Sequence, residues 1–168
     1  MPNWCYNRST ITGPKTDIER LRNECFTGDD LDFEKVLPTP AFGDTDTYTS
    51  RMFGTTEIGE ECWYYWRLDN WRTKWDVEES ITSFDEIRIE TSFFSAWSPP
   101  IGIYNELVRR YPSLVFCATF FEPGWGFAGR YAQGVVAGYD SFRDDEEYRR
   151  IGETFGVVDE EDGDEEAA

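Results

Sequence analysis

Several segments of the chain have the alternation of apolar and polar residues, or the composition, that is expected of β-strands. Residues 4–12 are rich in aromatic and β-branched types, residues 87–93 alternate apolar with polar side chains, and residues 114–121 are almost wholly apolar. A period of two indicates a strand with one buried face, and a continuous apolar run indicates a central strand. The segment 62–68, Cys-Trp-Tyr-Tyr-Trp-Arg-Leu, is predicted as a further strand because aromatic residues favour extended structure.

Two segments instead show the helical period of 3.6 residues. The first begins near Pro14, and its apolar residues between Ile18 and Phe26 share one face. The second follows Pro100 and ends at Pro112, and its apolar residues between Tyr104 and Tyr111 share one face. Each predicted helix therefore has one side that can cover a sheet.

The remaining segments complete the predicted order of elements. Residues 29–60 contain many Pro, Gly, Asp and Thr and predict a long, mostly irregular insertion with about one helical turn. Residues 124–139 alternate glycine with large apolar residues, which is typical of a bent β-hairpin, and residues 141–152 predict a short charged helix. Two strand-helix-strand units on one sheet form a ferredoxin-like arrangement. We therefore expect an α+β fold, a ferredoxin-like βαββαβ antiparallel sheet with the helices on one face and a C-terminal β-hairpin extension, in a single domain over residues 1–158.

Negative charge is concentrated at the C-terminal end of the chain. The chain has 34 Asp and Glu against 16 Lys and Arg, a formal charge of −18, and residues 140–168 contribute −10 of it. Residues 159–168 are acidic with almost nothing to bury, so we predict a disordered acidic tail. The body, at −8 and without a Lys or Arg cluster, does not suit duplex nucleic acid and favours a partner protein with a basic surface. Solvent adaptation in a halophile, or a GC-rich host genome, is an alternative source of the same acidity.

Candidate chemistry is sparse. Histidine is absent, which excludes imidazole-based catalysis. The four cysteines lie 20, 37 and 55 positions apart and form no Cys-x-x-Cys pair, so we expect reduced core thiols and no metal. Residues 124–129 match G-x-G-x-x-G, but a strand pattern follows where a dinucleotide site needs a helix, so no cofactor is expected. Because no catalytic signature is present, we expect a non-enzymatic protein. Because no leader or membrane-spanning stretch is evident, we expect it in the cytoplasm of the host cell, with no membrane contact.

Four blocks of sequence, in a fixed order, carry a resemblance to a known family. They are Met-Pro-Asn-Trp-Cys-x-Asn at residues 1–7, Trp-Tyr-x-Trp followed by Asn-Trp-x-Thr-Lys-Trp-Asp at 63–76, the stretch 93–100 ending Trp-Ser-Pro-Pro, and Glu-x-Gly with Phe-x-Gly at 122–129. Together they resemble the YubB-like ferredoxin-like domain family of conjugative plasmids and bacteriophages. The resemblance implies a βαββαβ core and a mobile-element origin, and it implies no activity. Arg72 stands where the family usually has glycine, so the resemblance leaves the turn at this position open.

The aromatic segment 63–76 is the candidate site. Its rings exceed what one strand can bury, so part of them either pack under the 29–60 insertion and the hairpin or form a partner-binding surface. The candidate partner-binding residues are Trp63, Tyr65, Asn70, Trp71, Lys74, Trp75 and Asp76.

Three functional interpretations remain open for this surface. The favoured one is a phage or plasmid accessory protein that binds, and inhibits, a host protein such as a nucleic-acid-handling defence factor. A second is a small-ligand binder or enzyme that uses the open sheet face and Lys74. A third is a domain whose acidity is solvent adaptation only. Single-strand binding through Trp125 and Phe127 is disfavoured by the acidic surroundings, and the oligomeric state is undetermined.

The acidic tail is predicted to be dispensable for folding. A chain that ends at Val158 should keep its melting temperature within a few degrees of that of the full chain, because residues 159–168 have almost no apolar side chains to bury. Thermal unfolding followed by circular dichroism measures this, and a large fall in melting temperature would show that the tail packs against the body.

Overall fold

The computed structural model of the chain describes residues 3–41, 63–142 and 146–157. Within these ranges the chain forms eight strands and five helices. The strands are β1 (Trp4–Thr12), β2 (Phe26–Thr27), β3 (Asp30–Leu31), β4 (Glu78–Phe84), β5 (Arg88–Ala96), β6 (Val115–Glu122), β7 (Phe127–Ala132) and β8 (Val135–Phe142). The helices are α1 (Lys15–Cys25), α2 (Phe33–Val36), α3 (Trp63–Asn70), α4 (Ile101–Arg110) and α5 (Glu146–Thr154).

Six of the strands form one antiparallel sheet in the order β4-β5-β1-β6-β7-β8. The core unit β1-α1-β4-β5-α4-β6 has the ferredoxin-like connection, and the β7-β8 hairpin extends the sheet beyond β6. The predicted ferredoxin-like α+β fold and its C-terminal hairpin are therefore confirmed. Strands β2 and β3 form a separate two-stranded sheet.

The main core lies between one face of this sheet and helices α1 and α4. Ile11 of β1 and Phe116 of β6 are opposite one another, and both are buried against the helices. Leu21 of α1 and Leu107 of α4 are each about 2% exposed or less. Each such side chain stabilises the fold by roughly 1.5–3 kcal/mol relative to an exposed one. The two helices are thus held to the sheet mainly by the apolar stripe that the 3.6-residue period predicts.

A polar network runs through this core beneath α4. The Asn7 side chain, 1% exposed, donates from Nδ2 to Ser95 Oγ at 2.8 Å and to the Cys5 carbonyl oxygen at 2.9 Å. The Tyr104 hydroxyl donates to Asn7 Oδ1 at 2.9 Å, and Ser95 Oγ donates to the Ser98 carbonyl oxygen at 2.7 Å. Because buried polar groups need partners, this network links β1, β5 and α4 in one arrangement.

The opposite face of the sheet is partly covered by α5. Tyr148 and Ile151 of this helix are buried against Phe121 and Ala128, in a cluster separate from the main core. An ion pair of 2.7 Å between Arg130 and Glu147 joins the helix to β7. The prediction that both helices of the ferredoxin-like unit lie on one face is confirmed for α1 and α4, and α5, which follows the C-terminal hairpin, lies on the other face.

Two assignments in the aromatic segment were wrong. Residues 63–70 form helix α3 rather than a strand, and the second strand of the ferredoxin-like core is β4. In the helix, Trp66 packs against the core beside Trp71, with ring centroids 6.4 Å apart. Tertiary packing therefore overrides the extended preference of a run of aromatic residues.

Parts of the remaining predictions lie outside the described residues. Residues 29–41 of the insertion contain β3 and the single helical turn α2, whereas residues 42–60, Cys62 and the tail 159–168 are not described. Cys5 and Cys25 are buried, as expected of core thiols, but Cys117 is exposed on the sheet. The prediction of core thiols is therefore wrong for Cys117.

The turn after α3 adopts the conformation that glycine favours, although arginine occupies it. Arg72 has φ +69°, and its carbonyl oxygen accepts a hydrogen bond from Ser98 Oγ. Arg72→Gly should raise the free energy of unfolding by about 0.5–1 kcal/mol, because a non-glycine residue in this region is strained by about 1–2 kcal/mol and glycine loses more backbone entropy. Arg72→Val should lower it by about 1–2 kcal/mol, since β-branched residues tolerate positive φ least. Urea denaturation measures both, and a destabilising Arg72→Gly variant would contradict the prediction.

The polar network should be far more sensitive to substitution than a comparable bond at the surface. Tyr104→Phe leaves Asn7 Oδ1 buried without its donor and should lower the free energy of unfolding by about 1–3 kcal/mol. Tyr131→Phe is the matched control, because the Tyr131 hydroxyl donates at 2.8 Å to the amide oxygen of Asn105, an exposed residue that water can satisfy. Equal effects of the two substitutions in denaturant unfolding would contradict a structural role for the network.

Candidate partner-binding site

Five aromatic rings form a continuous row across the second face of the sheet, and we call this row the aromatic ribbon. In spatial order it consists of Trp75, Trp4, Phe94, Tyr6 and Phe155. The distances between successive ring centroids are 6.1, 6.4, 4.8 and 5.9 Å. All five side chains are half-buried, so each ring contacts its neighbours and still presents an exposed part to solvent.

The pleat of β1 and its register with β5 place the central rings. Trp4 and Tyr6 are two residues apart, so they point to the same face, away from the buried Cys5 and Asn7. Tyr6 is directly opposite Phe94 of β5, and opposed residues of an antiparallel pair share a face. The ring pair Tyr6–Phe94 is edge-to-face, with an interplanar angle of 75°, which is a favourable aromatic geometry.

The Trp75 end of the ribbon is fixed by the loop that follows α3. Thr73, fully buried, donates its hydroxyl hydrogen to the carbonyl oxygen of Ala96 at 2.9 Å and so ties this loop to the end of β5. The Lys74 ammonium lies 4.5 Å from the ring centroid of Trp75 and 5.4 Å from that of Trp97. Ring faces attract cations at such distances, so Lys74 helps to hold the two tryptophans in place.

A small groove lies where the ribbon meets the edge of the sheet. Its volume is about 110 Å³, and its apolar lining comes mainly from Tyr6, Phe94 and Phe155. Ile81 and Glu79 of the edge strand β4 form the outer lip. Ile81 is 78% exposed, the largest value among the exposed large apolar residues of the described part of the chain. The groove is therefore an apolar depression with a negatively charged lip.

The structure divides the predicted site residues between the interior and the surface. Trp71 is fully buried, donates from Nε1 to the Leu37 carbonyl oxygen at 2.8 Å, and belongs to the main core. Asp76 accepts from the backbone N–H groups of Phe33 at 3.0 Å and Val77 at 2.8 Å, and burial raises the pKa of its carboxyl group. Trp71 therefore offers no contact surface to a partner, whereas Asp76 is partly exposed but its carboxylate is engaged by the backbone.

The other predicted residues lie in or near helix α3. Asn70 donates from its side chain to the Trp66 carbonyl oxygen at 2.8 Å, at the end of that helix. Trp63 and Tyr65 are half-buried within α3 and are not among the rings of the ribbon. Of the seven predicted residues, Trp75 is thus in the ribbon and Lys74 contacts it.

Four ribbon residues were not predicted as partner-binding residues from the sequence: Trp4, Tyr6, Phe94 and Phe155. The alternation in β1 did indicate that Trp4 and Tyr6 share a face, but not which neighbouring strand would extend it. Phe155 follows α5, whose place on the second face depends on tertiary packing. Only strand register and helix placement bring these rings together, and neither can be read from one sequence.

Trp125 is a second exposed tryptophan, away from the ribbon at the turn between β6 and β7. Its side chain is 74% exposed. The fully buried carboxylate of Glu122 accepts from the backbone N–H groups of Gly124 at 3.0 Å and Trp125 at 2.5 Å, so the turn is firmly held. A Cβ on Gly124 would lie 2.3 Å from the Asn3 side chain, which explains the glycine at that position.

Burial raises the pKa values of several groups in the core of the protein. Burial raises the pKa of the Cys5 thiol and of the Tyr104 hydroxyl far above their usual values, and both side chains are fully buried. Within the described ranges, no three His, Cys, Asp or Glu residues are grouped so that they could hold a metal ion. Among the helices of those ranges, none has the length and apolar character needed to cross a membrane.

Comparisons with known proteins agree with this fold. The crystal structure of a protein api92 from Yersinia pseudotuberculosis superposes with a TM-score of 0.58 at 12% sequence identity, covering 83% of this chain and 98% of that one. This similarity shows the fold alone. No curated protein matches the chain. The family model of the ferredoxin-like domain in Api92-like protein matches residues 70–166, which is more than half of the chain. The resemblance to a ferredoxin-like family is therefore confirmed at this level, and the chain belongs to the family of the ferredoxin-like domain in Api92-like protein.

Proposed function

We propose that the chain is a non-enzymatic, acidic accessory protein of a phage or plasmid that binds a host protein with a basic surface through the aromatic ribbon. A nucleic-acid-handling defence factor is the class of partner that fits this proposal. The single observation that carries it is the ribbon itself, a row of five half-buried rings on the sheet face opposite the main core. The mobile-element origin comes from the sequence resemblance.

Aromatic side chains supply most of the contact energy at protein interfaces. Tryptophan and tyrosine are enriched among the residues whose truncation weakens binding most, because they bury large area with little loss of conformational freedom. Rings that already pack against one another lose still less freedom on binding. The ribbon is therefore a suitable anchor for a partner protein.

The net charge of −18 acts on a different step of binding. Long-range attraction raises the rate at which a basic partner and an acidic protein meet, and contributes less to the stability of the final contact. Solvent adaptation would account for this acidity but not for five rings left partly exposed in a row. In this proposal the ribbon recognises the partner protein, and the negative charge raises the rate at which the two proteins meet.

A small-molecule site on the open face is less well supported. Ligand pockets usually enclose about 300–1,000 Å³. The groove beside the ribbon holds about 110 Å³, and α5 covers much of the same face. Lys74 contacts ring faces, an arrangement that fits packing of a cation rather than a reactive amine in a cleft.

The test is quantitative affinity capture from host lysate at physiological salt, with bound proteins identified by mass spectrometry. The full chain should retain a basic partner at near-stoichiometric amounts. A chain lacking residues 159–168 should retain the same partner, because recognition does not depend on the tail. Trp75→Ala should lower the affinity for that partner by about 30-fold, the equivalent of a hot-spot loss of ~2 kcal/mol.

Trp125→Ala is the matched control, since it removes an exposed tryptophan outside the ribbon. It should change the affinity by less than threefold. Loss of the partner with Trp125→Ala and not with Trp75→Ala would contradict the proposal. Competition by duplex DNA together with steep salt dependence would instead establish nucleic-acid mimicry.

A further inference from the structure

The groove at the edge of the ribbon has a composition that specifies the chemistry of what it binds. Its floor consists of the rings of Tyr6, Phe94 and Phe155, which are half-buried in the free protein. Its volume of about 110 Å³ compares with the ~150 Å³ of an apolar cavity that holds benzene. The groove therefore has room for one large side chain and not for a longer ligand.

The lip of the groove carries a single type of charge. Among the described residues that line the groove, Glu79 alone is charged. No ion pair with a described residue engages Glu79, whereas Glu86, farther along the chain after β4, pairs with Lys15 at 2.7 Å. The groove thus combines an apolar floor with one carboxylate that is available to a cation.

The backbone places this carboxylate at the lip. The register between β4 and β5 shifts between Glu78 and Ile81, which marks a β-bulge, and Glu79 within it has φ +49°. Bulges re-aim side chains, and a glutamate at positive φ is strained. Ile81, opposite Ser92, lies on the same face as the groove and is 78% exposed. An edge-strand irregularity therefore presents one acidic and one apolar side chain together.

We propose that this groove receives one large apolar side chain of the partner protein, next to a lysine or arginine of the same segment that pairs with Glu79. The inference rests on the proposed function, because it names the contact through which a basic partner would bind the ribbon. It follows from charge complementarity, since the lining of described residues offers a carboxylate and no cation. An acidic or purely polar segment would leave Glu79 unpaired or repelled and the apolar floor exposed.

To test this inference, the ¹⁵N-labelled full chain is titrated with short synthetic peptides, and its backbone amide signals are followed by NMR. The first peptide is a capped heptapeptide with a central leucine between two lysines. Its amide shifts should centre on Tyr6, Ile81, Ser92 and Phe94, with a Kd on the order of 1 mM. A peptide with serine in place of leucine should bind about tenfold more weakly, because it loses the buried apolar side chain. A peptide with glutamates in place of the lysines should not bind at the groove.

Substitutions in the protein separate the two parts of the groove. Glu79→Gln should weaken binding of the lysine peptide about threefold, as expected for a partly exposed ion pair, whereas the control Glu86→Gln should not change it. Ile81→Ser should weaken binding, whereas Ile87→Ser, at an isoleucine that is 60% exposed and outside the groove lining, should not. Neither exposed isoleucine supports the core, so both variants should fold.

Equal binding of the three peptides, shifts centred elsewhere, or equal effects of a substitution and its control would overturn the inference. The capture experiment and the peptide titration can fail independently of each other. A captured partner that depends on Trp75 but tolerates Glu79→Gln and Ile81→Ser refutes the groove and leaves the proposed function standing. Peptide binding that maps to the groove, without any captured partner, supports the groove and refutes the proposed function.

Discussion

The alternation of side chains along β1 is the constraint on which the rest of the structure depends. This central strand pairs with β5 on one side and β6 on the other, so its register fixes both neighbours. A slip of one residue would move its buried set to the second face and the ribbon rings into the core. Asn7 resists such a slip, because its amide bonds Ser95 and Tyr104 in one register only. The buried network and the exposed ribbon are thus two consequences of one pleat.

The second face of the sheet is covered unequally, and this explains why the ribbon rings are half-buried. Helix α5 buries Phe121, and Tyr6 lies at the margin of this cluster, 6.3 Å from the ring of Phe121 and 5.9 Å from that of Phe155. Beyond Tyr6 the rings of Phe94, Trp4 and Trp75 shield one another from water by mutual ring contacts. Aromatic side chains suit this position because their large surface stays partly covered even without a second layer of structure. The fold therefore tolerates an apolar row that a continuous helical layer would have buried.

The sequence predicted the parts of the fold that follow from local periodicity. Strand β1 has the predicted bounds, and α1 and α4 lie where their apolar stripes placed them. Strand β4, Glu-Glu-Ser-Ile-Thr-Ser-Phe, escaped prediction because an edge strand buries little and its alternation is weak. The segment that forms helix α3 was predicted as a strand because its many aromatic residues favour extended structure. For the candidate site, Trp75 and Lys74 were identified, whereas the strand partners that complete the ribbon depend on non-local pairing.

Acidity and aromatic contact differ in range, and this separation shapes how the protein can recognise a partner. At physiological ionic strength, electrostatic attraction extends about 8 Å, which is farther than direct contact, so in the proposed function the acidic residues would favour encounter and carry little information about shape. In the proposed function the ribbon would act only on contact, where the spacing of its rings would discriminate one surface from another. Glu79 would contribute both to long-range attraction and to direct contact. It adds to the negative charge of the protein, and it lies at the groove lip, where one cation could pair with it. Specificity for a basic partner, as we propose it, would require a charge beside apolar surface, and the bulge in β4 places Glu79 beside the apolar groove.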